Sequence, residues 1–249
     1  MRLALFSTAR LRSAASVFRC SSRAVSTTVL NPDDFRPVGT HRVGCIGIDI
    51  PSVVPHESNV ESVVSVLGKA FESGVTLVDI CEPQGTLLSA EIVRQACVRH
   101  NSTQDIVISG HVGIQNGAVD HSEDSLKFQL EALLGTLGTS SIPLLHLSGI
   151  DQKNDWLNAI KTLKDFRDQK LCQMIGVSEV DPSYIKVAIN EAGINAVRYP
   201  CSVVNREAMT NGVLDLCDRN SLALLASRPF GSRDDFSKLT HHPVLPGYC

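Results

Sequence analysis

GVTLVDICEPQGTLLSAEIVRQA, residues 74–96, is the stretch on which the fold turns. It opens on Gly74, which closes the amphipathic segment ending near Phe71, and then runs through seven residues, 75–81, that are almost all apolar. A continuous run of Val, Leu and Ile of this length, without apolar–polar alternation, marks a strand buried on both faces. Working outward, runs of the same kind recur at residues 43–50, 105–112, 142–147, 172–177, 196–204 and 222–227.

Helical patterns fill the intervals. Val60, Val63, Val64, Leu67 and Phe71 fall on one helical face, as do Leu126, Leu130, Leu133, Leu134 and Leu137, and then Trp156, Ala159, Ile160 and Leu163. Asp181–Pro182 supplies an N-cap followed by proline at the first helical position, and Gly193 stands where that helix should stop. Seven strands alternating with about six helices predict a parallel sheet with right-handed crossovers. Alternation alone leaves a closed barrel and an open doubly wound sheet both possible. The first strand, VGCIGIDIPS at 43–52, carries no G-x-G-x-x-G, which disfavours a Rossmann dinucleotide site.

Hydrophobic residues make up 43% of the 249 and charged residues 20%, enough for a large core. No stretch approaches the roughly 18–20 uninterrupted apolar residues of a membrane span, and a net charge of −3 gives no support for nucleic-acid binding. Residues 1–30 stand apart. They hold Arg2, Arg10, Arg12, Arg19 and Arg23, are rich in Ser and Thr, and contain no acid; the first is Asp33. That is the composition of a mitochondrial transit peptide, with a disordered basic tail as the plainer alternative. Cleavage after Arg23 removes five of the 23 basic residues and leaves 18 against 26 acidic, a net of −8, which suits a matrix protein. The eight cysteines form no CxxC pair and no zinc pattern, and read as reduced core thiols.

Six motifs, in order, resemble those of the aldo-keto reductase family. Residues 74–96 resemble its G-x-x-x-x-D-T-A-x-x-Y-G and S-E-x-x-x-G-x-A stretch. DIVISGHVG (105–113) is similar to its strand ending in Thr-Lys, and SLKFQLEALLGTLGTSSIPLLH (125–146) to its S-L-x-x-L-G helix and the strand ending in His. IGVSEV (175–180) resembles Gly-Val-Ser-Asn, AVRYPCSVVNRE (196–207) the strand carrying the nicotinamide-contacting Gln, and ASRPFGS (226–232) the phosphate strap. The resemblance implies a TIM-type (β/α) barrel over residues 31–232, incomplete, with about seven recognisable strands. The segment 233–249 reads as an irregular tail. An eighth strand is not evident, so the resemblance implies edges at strands one and seven, to be covered by the tail, by closure with seven strands, or by another chain.

The resemblance also implies roles at strand ends. Asp79 and His146 match the family's catalytic Asp and His. The general-acid Tyr is replaced by Gln84 and the Lys beside it by His111. Gln cannot donate a proton with a useful pKa, and His is a weaker, titratable cation. On the cofactor side Ser178 is kept, Glu179 stands for Asn, Arg198 for the Gln, and Gly231 and Ser232 remain of the strap. No cofactor is therefore expected, and NADPH only if the chain is a divergent carbonyl reductase. The expected role is a non-catalytic subunit, scaffold or regulator with a protein partner in the matrix, of the kind the family includes in potassium-channel β subunits. Asp79 may be read equally as a structural capping acid, His146 as a core histidine, and Cys81 as a buried thiol. Asp79, His111 and His146 together have the composition of a two-His, one-carboxylate metal set, yet the family binds no metal and none is expected here. His241–His242 reads as solvated. Residues 1–35 fused to a fluorescent reporter should bring it to mitochondria; a diffuse cytosolic signal removes the import reading.

Overall fold

Seven of the apolar runs become parallel strands wound into a barrel. The computed structural model describes residues 2–7, 34–51, 60–81, 87–101, 106–151 and 156–231. After β1 (Arg2–Ser7), a hairpin of β2 (Phe35–Val38) and β3 (His41–Gly44) leads into β4 (Ile46–Pro51) and α1 (Val60–Glu72). Then follow β5 (Leu77–Cys81), α2 (Leu88–Arg99), β6 (Val107–Val112), a small hairpin of β7 (Ile114–Gln115) and β8 (Ala118–Val119), and α3 (Glu123–Leu137). β9 (Ile142–Ser148), α4 (Trp156–Asp168), β10 (Cys172–Ser178), α5 (Pro182–Ala192), β11 (Ala196–Pro200), α6 (Glu207–Thr210), α7 (Val213–Arg219) and β12 (Ala223–Ser227) complete the order.

The helices form where the pattern places them. α3 buries Leu126, Leu130, Leu133, Leu134 and Leu137, each fully buried leucine being worth about 1.5–3 kcal/mol. α5 begins with Asp181 at the N-cap and Pro182 behind it, and ends on Gly193 at φ 56, whose N–H bonds Ile189 O. Asp181 makes no side-chain cap bond, so its contribution is the extended backbone that turns the chain into the helix. Two predicted runs are shorter than expected. Residues 43–50 break at Cys45, so that β3 belongs to the hairpin and β4 to the barrel. Residues 196–204 stop pairing at Pro200, which has no N–H for the ladder.

Strand order around the barrel is β1-β12-β11-β10-β9-β6-β5-β4, and it closes. The expected gap between the first and last parallel strands is therefore filled, and by none of the three expected means. β1 runs antiparallel to both neighbours, with Leu3 opposite Ile48 and Leu5 opposite both Ile46 and Ala226. The physical reason is the pair of otherwise unsatisfied edges on β4 and β12, both of which one inserted antiparallel strand satisfies. A boundary at residue 30 thus cuts through the sheet. The segment 233–249 lies outside the described residues.

Side-chain alternation sorts the barrel interior into layers. The hairpin's Val38 and Val43 join Leu77, Val107, Leu144, Met174, Ala196, Ala223 and Leu225 in one buried apolar cluster, separate from the core between strands and helices. Two residues further along four of these strands, β5, β6, β9 and β11, the same face turns polar: Asp79, Ser109, His146 and Arg198. Removing residues 1–30 should strip β4 and β12 of their shared neighbour. The expected result is a lower melting temperature and self-association of residues 31–249 relative to the full chain, read by thermal unfolding and light scattering. Identical melting and a monomeric mass would show that the eighth stave is dispensable.

Candidate active site

The polar end of the barrel brings most of the expected site residues together. Register places Asp79 opposite Ser109, and His111 opposite His146. Ser109 Oγ donates to Asp79 Oδ1 at 2.5 Å and lies 3.1 Å from His146 Nδ1. A carboxylate only accepts, so the single hydroxyl proton goes to Asp79, and His146 Nδ1 is left to donate to Ser109. His111 Nε2 donates to the same Asp79 Oδ1 at 2.9 Å, while its Nδ1 meets Ser148 Oγ at 2.8 Å. The two imidazoles stack with centroids 4.9 Å apart and planes 18° from parallel. Gly176 makes room for them: a Cβ there would come within 2.6 Å of His146 Cδ2 and 2.7 Å of Ala196 O. His146 Nε2 is buried without a hydrogen-bond partner, a condition costing about 1–3 kcal/mol.

Arg198 is the centre of the cluster. Its side chain is 7% exposed. Nε donates to Asp79 Oδ2 at 2.7 Å, Nη1 to Glu179 Oε1 at 2.7 Å and Ser178 Oγ at 3.4 Å, and Nη2 to Asp49 Oδ2 at 3.4 Å. Glu179 reaches out to half-exposed Arg228 at 3.6 Å as well. It does so from φ 57, a conformation that costs a non-glycine residue about 1–3 kcal/mol. The bond from its N–H to Arg198 O and the ion pair to the guanidinium hold it there.

These contacts set the charges. Burial alone would raise the Asp79 carboxyl, but His111 and Arg198 outweigh it and hold it well below the usual carboxylate range. Burial pulls His146 well below the ordinary imidazole value, and the charge of His111 adds to that. For Arg198 burial is outweighed by Asp79 first and then by Cys81, Asp49 and Glu179, so it stays charged. Burial pushes the Cys81 thiol up to about 12, which leaves it inert as a nucleophile.

The sequence reading put His111 in the place of the cation beside Asp79 and read Arg198 only as a lost carboxamide contact. Arg198 is in fact the cation that grips Asp79. The signal was present: an arginine in the middle of a buried apolar strand needs a carboxylate inside the fold. Ser109 and Asp49, which complete the network, carried no motif and were missed. Ser178 and Glu179 join the cluster through Arg198, and Gly231, at φ 76, closes a turn onto Arg228 O. Gln84 and Ser232 lie outside the described residues. Arg198→Met should cost about 3–5 kcal/mol of stability, because it strands a buried carboxylate. The double change with Asp79→Asn should recover part of that loss. The folded carboxyl is held below its unfolded value near 3.8. The stability it contributes is therefore present above about pH 4 and lost as pH falls toward the folded value. Denaturant midpoints at descending pH should show this decline in the native chain and less of it in Asp79→Asn.

A model of the Aldo/keto reductase family matches residues 45–234. An aldo-keto reductase of Gibberella moniliformis is 25% identical over 215 residues, 84% of this chain and 65% of that protein. A probable pyridoxal reductase 2 of Schizosaccharomyces pombe is 31% identical over 108 residues, 43% and 32% of the two chains. The chain thus spans under two thirds of the length of both relatives. Among solved structures, the glycerol dehydrogenase of Gluconobacter oxydans superposes with a TM-score of 0.68 at 16% identity, covering 79% of this chain and 63% of that one. An aldo-keto reductase of Klebsiella pneumoniae in complex with NADPH gives 0.69 at 16% identity, covering 81% and 69%. These two likenesses establish the fold. The family match, which takes in Asp79, His111, His146 and Arg198, establishes the kinship: the chain belongs to the aldo-keto reductase family.

Proposed function

We propose that this member of the family is a non-catalytic subunit, scaffold or regulator, working with a protein partner in the mitochondrial matrix. One observation carries the reading: the polar groups at the barrel mouth are bonded to one another. Asp79 accepts from Ser109, His111 and Arg198 together, and both nitrogens of His111 are engaged. The free nitrogen of His146 is buried. Among the described residues no group of suitable acidity faces a substrate, and the position matching the family's tyrosine is Gln84, which cannot serve as a general acid.

The nicotinamide end of a dinucleotide does not fit these residues either. The positions that would meet the carboxamide hold Glu179 and Arg198, paired to each other at 2.7 Å. Freeing Arg198 for a ligand would also leave Asp79 without its guanidinium. The partner reading draws on the barrel wall. Cleavage after Arg23 would remove β1, leaving the edges of β4 and β12 to accept an extended strand from another protein.

The second reading is a divergent NADPH-dependent carbonyl reductase. Its support is that Asp79 and His146 keep the family identity and that both curated relatives are named reductases. NADPH fluorescence titration together with NADPH oxidation over aldehydes, quinones and dicarbonyls separates the two. No binding and no turnover are expected, since loss of the general acid alone removes about 10²–10⁴-fold in rate. Robust turnover that disappears in His146→Ala would replace the first reading with the second. A pulldown from mitochondria should return a stoichiometric partner.

A further inference from the structure

We propose that Asp79 Oδ1, His111 Nε2 and His146 Nδ1 form a binding site for a divalent transition-metal ion of the zinc class. The inference stands apart from the question of carbonyl reduction, since it rests on the ligand atoms themselves. The three residues come from three adjacent staves and each offers one ligand atom, the set lying within 4.8 Å of one another. His111 Nε2 and Asp79 Oδ1 are already 2.9 Å apart, close to the spacing of two ligands that share a small metal ion at about 2.0–2.1 Å from each.

The donor set selects the metal. Two imidazoles and one carboxylate suit zinc and its first-row neighbours, whereas calcium and magnesium want oxygen ligands throughout. Metal binding needs neutral imidazoles.

Supporting bonds orient each ligand as an outer shell does. Ser148 Oγ holds His111 at Nδ1, on the side of the ring away from Asp79. Arg198 holds Asp79 by Oδ2, leaving Oδ1 turned toward the two imidazoles. Ser109 Oγ lies 2.5 Å from Asp79 Oδ1 and 3.1 Å from His146 Nδ1. The hydroxyl therefore bridges Asp79 and His146 and is placed to become a fourth ligand, or to yield that position to water. His146 is itself fully buried, with Nδ1 directed at Ser109 in this cluster. On binding, the proton of His111 moves from Nε2 to Nδ1, where it is donated to Ser148 Oγ, and that of His146 moves from Nδ1 to Nε2. No oxidant is required, and a His111 carrying a second ring proton releases it to solvent on binding.

The test uses the full chain, stripped with a chelator and titrated with Co²⁺ and then Zn²⁺. Expected are visible Co²⁺ absorption bands that saturate at one ion per chain, their loss on addition of Zn²⁺, and a raised melting temperature with either ion. His146→Asn and His111→Gln should each abolish the bands, while removal of the tail pair His241–His242 should leave them unchanged. A folded chain that shows neither bands nor a melting shift overturns the proposal, as do bands that survive both histidine substitutions. Should those variants fail to fold, X-ray absorption on the wild-type zinc complex decides: a shell of two imidazoles and oxygen supports the site, and sulfur in the shell, pointing to the cysteines, overturns it.

Discussion

The ion pair between Arg198 and Asp79 is the constraint around which the upper barrel is arranged. A guanidinium with 7% of its side chain exposed must have charge partners, because an unpaired buried ion costs several kcal/mol. Arg198 takes Asp79, Glu179 and Asp49 from three other staves or their ends. That choice propagates. Asp79 is drawn to Oδ2 by the arginine, so its Oδ1 is left to Ser109 and His111. Glu179 is drawn over the barrel end into a left-handed conformation. His146 is left to share Ser109, and glycine is required at 176 to admit its ring. One arginine therefore organises six side chains at or beside the strand ends.

This arrangement is the basis for proposing that family membership and catalytic competence come apart here. The fold requires only that the lower interior be apolar, and Leu77, Val107, Leu144, Met174 and Leu225 meet that need. The upper interior is free to exchange chemistry for internal pairing without disturbing the layer beneath it. A working site keeps charged groups under-satisfied until substrate arrives. In this chain the carboxylate and the cation satisfy each other instead, and the strain at Glu179 is offset within the same network.

Much of the fold could be read in the sequence because buried parallel strands are written as continuous Val, Ile and Leu runs and their helices as leucine faces. Residues 75–81, 142–147 and 172–177 were placed within two or three residues for that reason. What could not be read depended on contacts across the chain. Cys45 divides a run that looks uniform, since the apolar hairpin beneath the barrel and the first parallel stave have the same composition. Asp79, His111 and His146 were legible as strand-end residues through the family's motifs. Their bonds were not, because Ser109 is an unremarkable serine until register sets it between two of them. The pairing of Arg198 with Asp79 spans 119 residues of sequence and has no local signature.

The eighth stave raises a different physical question. Residues 2–7 close the barrel, yet they lie within the arginine-rich segment whose composition suits an import signal. A strand of six residues gains backbone hydrogen bonds worth about 0.5–1.5 kcal/mol net each and loses about 1–2 kcal/mol per residue in backbone freedom. If the segment serves as an import signal, import in an extended form and barrel closure draw on the same six residues and exclude each other. Whichever process engages them first decides whether β4 and β12 meet this strand or are left open to another.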